Sequence, residues 1–193
     1  MKTLVITGGI GSGKSAAAAH LSRRGFPVYD SDASAKTLYE RCPEVVDALE
    51  ERLGMSLRDA EGRLDRARLA GRIFSDPAAR AAVESVVHPA VLEDFRSWRA
   101  LQHAPIVVIE SAIILSKPLF DGEYDKVILI EAPEDVRVAR AAQRDGVPEE
   151  TVRARIAAQS FDLSKVDMVI RNDGSLDELG ARLDRALPYL FAE

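Results

Sequence analysis

Short apolar runs, most of them closing on an acidic residue, recur along this chain between stretches of helix-forming residues. Residues 3–7 read Thr-Leu-Val-Ile-Thr. Residues 27–29 read Pro-Val-Tyr and stop at Asp30. Residues 106–109 read Ile-Val-Val-Ile and stop at Glu110, and 126–130 read Lys-Val-Ile-Leu-Ile and stop at Glu131. Residues 168–170 read Met-Val-Ile. The main runs are continuous rather than alternating, which predicts strands buried on both faces. Five such strands separated by helical stretches predict an α/β fold with a parallel sheet covered on both sides. In such sheets ligands gather at the carboxyl ends of the strands. Asp30, Asp32 and Glu110 all fall at such ends.

The helical stretches differ in kind. Residues 16–24 are rich in strong helix formers, with Gly25 as a stop. Residues 33–104 are too long for one crossover and predict several helices. Leu38, Val45, Val46, Leu49 and Leu53 fall at helical spacing, and Asp76-Pro77 reads as a cap with proline in the first turn. Val83, Val87, Val91, Phe95 and Trp98 continue an apolar stripe that core packing explains. Residues 135–144 and the stretch from Pro148 to Gln159 predict two helices joined at Asp145-Gly146, a lid-like pair within 135–163. Arg137, Arg140 and Arg144 share one face of the first. Singly, each reads equally well as a solvated side chain pairing with Glu134 or Asp135. As a cluster they read as a phosphate clamp. Ser175-Leu176-Asp177-Glu178 predicts a capping box and a terminal helix.

Between the first strand and the first helix stands Gly8-Gly9-Ile10-Gly11-Ser12-Gly13-Lys14-Ser15. It fits the phosphate-binding pattern G-x-x-x-x-G-K-[ST], in the strand–loop–helix order that the pattern requires. Glycines let backbone N–H groups approach phosphate oxygens, and the helix start adds unpaired donors and partial positive charge. Lys14 would reach the β- and γ-phosphates, and Ser15 would place its hydroxyl on Mg²⁺.

Composition narrows the picture. The chain has 193 residues, 47% of them hydrophobic, which is enough for a core. A net charge of −5 argues against a nucleic-acid-binding surface as the main function. Cys42 is the single cysteine, so no intrachain disulfide forms, which is consistent with a cytoplasmic setting. No stretch approaches a membrane span, and a monomer is compatible with the sequence. The guanine-specifying Asn-Lys-x-Asp is absent, and Asp59-Ala60-Glu61-Gly62 matches Asp-x-x-Gly with no apolar strand before it. The favoured function is that of a small kinase moving a γ-phosphoryl group onto a small molecule. Such chemistry needs electrostatic clamping and alignment more than covalent help. Asp30 and Asp32 supply carboxylates that can accept a hydroxyl proton or hold Mg²⁺ through water. Asp32 equally suits the N-cap of a helix beginning at Ala33, and the roles can coexist.

Taken together, these residues resemble the dephospho-coenzyme A kinase family over nearly the whole chain. The glycine loop, Asp30-Ser31-Asp32, Glu61-Gly62-Arg63-Leu64-Asp65-Arg66, Phe74-x-Asp76, Val87-His88-Pro89, Gln143-Arg144-Asp145, Ala157-Ala158-Gln159 and Ile170-Arg171-Asn172-Asp173-Gly174 follow that family's order and spacing. The resemblance implies a three-layer P-loop NTPase fold: a single kinase domain over 1–193, with a helical acceptor-binding insertion at 33–104 and a helical lid at 135–163. It implies transfer of the ATP γ-phosphoryl group to the ribose 3′-hydroxyl of dephospho-coenzyme A, with Mg²⁺. Its implied catalytic residues are Asp32, Lys14 and Arg140. ATP would be bound by Gly11, Ser12, Gly13, Lys14, Ser15, Ala16, Arg144, Asn172 and Gly174, and the acceptor by Asp32, Arg66 and His88. The metal would be held by Ser15, with Glu110 acting through water. His88-Pro89 reads equally as a helix junction. A nucleotide or nucleoside kinase and a non-catalytic nucleotide-binding module remain the alternatives. The chain departs from the family pattern at Ala16, where a threonine is usual, at Glu61, where aspartate is usual, and at Ser116, which lacks an acid.

Overall fold

Leu4, Val5 and Ile6, at the centre of the first strand, are wholly buried, as a run with no polar face requires. In the computed structural model, which describes residues 1–159 and 161–192, all five strands expected from the apolar runs form. They are β1 (Lys2–Gly8), β2 (Val28–Asp30), β3 (Ile106–Glu110), β4 (Lys126–Glu131) and β5 (Met168–Arg171). All pair in parallel, in the order β2-β3-β1-β4-β5. β1 lies at the centre, and its Ile6 is in register with Glu110 at the end of β3.

The helices are α1 (Lys14–Arg23), α2 (Ser31–Arg41), α3 (Pro43–Leu53), α4 (Arg66–Ser75), α5 (Pro77–Ala100), α6 (Glu134–Asp145), α7 (Glu149–Ala157) and α8 (Leu176–Leu190). The chain divides into two compact units, residues 31–101 and the remainder. In the sheet-bearing unit one core joins Leu4, Ile6, Val108, Ile128, Ile130 and Ile170 from the strands to Leu21, Leu179 and Leu183 from α1 and α8. Val5, Ile109, Val127 and Leu129 alternate with these residues and are buried too. α8 starts where expected: the Ser175 side chain accepts from Glu178 N–H, and the Glu178 carboxylate accepts from Ser175 N–H.

The mainly helical unit forms several helices, as expected. The stripe from Leu38 to Leu53 is not continuous; it is broken at Cys42-Pro43 into α2 and α3, with Pro43 opening α3. α5 runs unbroken from Pro77 to Ala100 through Pro89, so His88-Pro89 is not a helix junction. Asp76 caps α5 as expected, accepting from Ala78 and Ala79 N–H. Val83, Val87, Val91 and Phe95 bury the stripe, and Trp98 stacks on Phe95 at 6.1 Å.

α1 and α8 meet at His20, whose Nε2 lies 3.0 Å from Asp184 Oδ1. That contact holds the Asp184 carboxyl below its ordinary value of 3.8. A carboxyl depressed in the folded state stabilises above its unfolded pKa, and the contribution fades as pH falls through the folded pKa. Asp184→Asn is therefore expected to cost less than about 1 kcal/mol at neutral pH, the range for a half-exposed pair. Denaturant titrations at descending pH should show the gap from the wild type closing below pH 3.8. A gap that stays constant would assign the loss to packing instead.

Candidate active site

At the carboxyl end of β1 the chain turns sharply. Ser12 N–H donates to the Gly9 carbonyl at 3.0 Å, and Gly11 sits at φ 74°. Gly13 then opens α1 in the left-handed region, φ 97°, with no side-chain cap. The first N–H groups of α1 are thus left to an anion. A Cβ on Gly13 would come within 2.1 Å of Asn172 Nδ2, so glycine is required there for space as well as for conformation. The cavity over this loop is about 140 Å³ and is lined by Gly9, Gly11, Gly13, Lys14, Ser15, Arg140 and Arg144.

Lys14 and Ser15 meet Glu110. Ser15 Oγ donates to Glu110 Oε1 at 2.6 Å, and Lys14 Nζ stands 3.6 Å from the same oxygen. Glu110 is only 6% exposed, so its charge needs such partners. The strand register makes this meeting possible, because β3 ends beside β1 where the glycine loop begins. Asp30, the last residue of β2, is in register with Glu110. Asp32 follows two residues later, exposed in the first turn of α2. Because α2 begins at Ser31, Asp32 lies inside the helix and does not cap a helix beginning at Ala33. Ala16 packs against the sheet core.

Asn172 is 2% exposed and sits under the loop rather than over it. Its Nδ2 donates to the Ser12 carbonyl at 2.8 Å, and its own carbonyl accepts from Arg140 Nη1 at 3.0 Å. Arg140 is thereby held at the cavity wall by the backbone that follows β5. Arg144 grips Asp145 through two hydrogen bonds, 2.7 and 3.0 Å, which hold the Asp145 carboxyl below the usual carboxylate range. The pairing with Glu134 and Asp135 is made by Arg153 rather than by the arginines of α6. At Gly174 a Cβ would meet the Glu178 carboxylate at 1.8 Å, so this glycine makes room for the α8 capping box. The segment 135–163, expected to form a lid, includes Ser160, which lies outside the described residues.

In the helical unit Arg66 follows the α4 N-cap, Asp65, and its Nη2 donates to Glu40 at 2.8 Å and to the Lys36 carbonyl at 3.1 Å. It lines a cleft of about 510 Å³ with Tyr39, Arg58, Asp59 and Arg63. Burial pushes the Tyr39 phenol up, and hydrogen bonding from the Arg63 backbone pulls the Asp59 carboxyl down. His88 is half-buried on α5.

Two further residues act on the loop, and the sequence reading gave neither that role. Arg137 Nε donates to the Ile10 carbonyl at 2.9 Å, and Gln159 Oε1 accepts from Ile10 N–H at 2.8 Å. Arginine spacing on α6 and the Ala157-Ala158-Gln159 motif were the local signals; their common partner lies more than a hundred residues away in sequence.

Comparison with known proteins agrees with this geometry. The family model described as dephospho-CoA kinase matches residues 3–178. A dephospho-CoA kinase of Porphyromonas gingivalis is 43% identical over 85% of this chain and 80% of its own length. One from Thiobacillus denitrificans is 35% identical over 95% of this chain and 93% of its own length. A crystal structure of a Thermus thermophilus protein superposes with a TM-score of 0.83 at 35% identity, covering 100% of this chain and 98% of that one.

Proposed function

Since this chain belongs to the dephospho-CoA kinase family, and is an ATP-dependent phosphotransferase acting on the ribose 3′-hydroxyl of dephospho-CoA in the last step of coenzyme A biosynthesis, we propose a division of labour among its residues. The observation that carries it is the meeting of Lys14, Ser15 and Glu110 beside a glycine loop and an uncapped helix start. Backbone N–H groups from Gly11 to Ala16 cradle the phosphates of ATP. Lys14 offsets charge on the β- and γ-phosphates. Arg140, fixed by the Asn172 carbonyl, faces the charge that spreads over the transferring group. Arg144 closes the nucleotide side, and Asn172 and Gly174 support it from below, through the loop and the α8 cap.

Asp32 orients the acceptor hydroxyl and takes its proton as the new P–O bond forms. It sits two residues beyond the carboxyl end of β2, the strand next to β3. Arg66 and His88 bind the acceptor, and the exposed arginines around Arg66 suit its phosphate groups.

The residues also fit Mg²⁺. Ser15 and Glu110 offer only hard oxygen donors, 2.6 Å apart. Among the described residues there is no group of three or more His, Cys, Asp or Glu that could hold a metal. A site poor in protein ligands suits an ion completed by phosphate and water. Ser15 would hold it directly and Glu110 through water, and the bound ion would neutralise charge on the β- and γ-phosphate oxygens. Substrates are small molecules, with no nucleic acid or membrane partner, and the enzyme works in the cytosol. Among the described residues no helix is long and apolar enough to cross a membrane.

The test is ADP release with dephospho-CoA, nucleosides and nucleoside monophosphates in parallel. Turnover with dephospho-CoA at least about a hundredfold above the others is expected, since a site built to hydrogen-bond its substrate rejects analogues lacking those groups by larger factors still. Protein that binds ATP but does not turn over dephospho-CoA would defeat the assignment.

A further inference from the structure

The turn at the crest of the glycine loop has a peptide whose direction matters. It is closed by Ser12 N–H on the Gly9 carbonyl, with Gly11 at φ 74°. No non-glycine residue among those described has positive φ, so Ile10 does not, and the turn is of type II. Its central peptide joins the Ile10 carbonyl to the Gly11 N–H. Because a trans peptide points these two groups in opposite directions, whatever holds the carbonyl also aims the N–H.

The lid helices hold it. Arg137 Nε, from α6, donates to the Ile10 carbonyl at 2.9 Å. Gln159, just beyond α7, accepts the Ile10 N–H at 2.8 Å. The Ile10 side chain packs against Val138, Ala141 and Val152, the small core that joins α6 to α7. The fit is close: a Cβ on Gly11 would lie 2.1 Å from the Arg137 carbonyl oxygen, and one on Gly9 would lie 2.2 Å from the Arg137 guanidinium. Ile10 is thus secured at its N–H, its carbonyl and its side chain by one pair of helices. Gly11 lines the phosphate cavity, as does Arg140 from the same α6.

We propose that Arg137 and Gln159 are positioning residues that lock the Ile10–Gly11 peptide, so that the Gly11 N–H faces the phosphates. Without the lock the peptide is free to flip, as type I and type II turns differ chiefly in that peptide's orientation. A flipped peptide would present a carbonyl oxygen to the triphosphate in place of a donor. The lock also makes the lid and the loop one mechanical piece at this point. The inference rests on reading the glycine loop as the ATP site; it is independent of the acceptor.

The experiment is calorimetric binding of Mg·ATP to the full chain without acceptor, followed by steady-state kinetics. Arg137→Met removes the donor and the charge, whereas Arg137→Gln keeps a neutral donor. Gln159→Met keeps the volume and removes the acceptor. For Arg137→Met and Gln159→Met the ATP Kd is expected to rise about tenfold, the scale of one hydrogen bond to a charged group. Arg137→Gln should stay within about threefold of wild type, and kcat at saturating ATP should change little. Equal losses in Arg137→Gln and Arg137→Met would reduce Arg137 to a point charge and overturn the lock, as would wild-type affinity in Gln159→Met. Gln159→Met leaves Arg137 in place and decides the matter should Arg137→Met fail to fold. Failure of the wild type itself to bind ATP would instead refute the site reading.

Discussion

Replacing Lys14 with alanine should leave a folded protein whose kcat/KM for ATP falls about 10²–10³-fold, the scale of removing one preorganised charge-stabilising donor. The loss should appear both in ATP affinity and in turnover. Lys14 is positioned before nucleotide arrives, 3.6 Å from a carboxylate that is 6% exposed, so its ammonium need not be gathered from solvent. In the proposed role its charge would face phosphates in the ground state, and more strongly as negative charge shifts during transfer. A loss of stability is also expected, because the buried Glu110 carboxylate loses its ammonium partner, tempered by the 2.6 Å hydrogen bond it keeps from Ser15. Lys14→Arg should rescue poorly, since a planar fork does not replace a compact ammonium in a cavity of about 140 Å³. Binding calorimetry and initial rates on both variants check this, and wild-type kinetics in Lys14→Ala would remove the glycine loop from the mechanism.

Local pattern carried the architecture a long way. Continuous apolar runs mark strands buried on both faces, and all five form within about a residue of where those runs lie. Caps written in neighbouring residues were equally legible: Asp76 before Pro77, and Ser175 with Glu178. What local pattern could not show is which strand lies beside which. β3 slots between β1 and β2, and it is this order that brings Glu110 to Ser15, 95 residues away. Helix ends set by tertiary packing were also less clear. The glycine loop feeds α1 at Lys14, two residues ahead of the helix-forming run, because Gly13 adopts the left-handed backbone that turns the chain into the helix.

The same division separates the site residues. Lys14 and Ser15 belong to one contiguous motif and are recognisable from it. Asn172 looks from its motif like a nucleotide contact, yet its side chain is bonded to the Ser12 carbonyl from beneath. Arg137 shares a helix face with Arg140 and Arg144, but each bonds a different partner: the Ile10 carbonyl, the Asn172 carbonyl and the Asp145 carboxylate. Shared helical phase says where side chains start, and the surrounding fold decides where each one ends.

Replacing Asp32 with asparagine should separate catalysis from nucleotide binding. Turnover with dephospho-CoA is expected to fall about 10²–10⁴-fold, the usual span for losing a general base, while the ATP Kd stays within about twofold. Asparagine keeps the size of the side chain and can still accept a hydrogen bond, but it cannot hold the proton of the acceptor hydroxyl. Asp32 also places negative charge in the first turn of α2, which on its own stabilises a helix by about 0.3–1 kcal/mol. A small fall in melting temperature is therefore expected and does not bear on catalysis. Asp32→Glu is the control: it keeps charge and helix stabilisation while moving the carboxylate by one methylene. If Asp32 only supports α2, Glu should behave as wild type and Asn should lose only stability. If it handles the acceptor hydroxyl, both should lose turnover at unchanged ATP affinity, because a shift of about 1 Å in a reacting group costs on the order of 10²-fold. Equal losses of turnover and ATP affinity in Asp32→Asn would place the residue in the nucleotide site and leave the base to be found elsewhere.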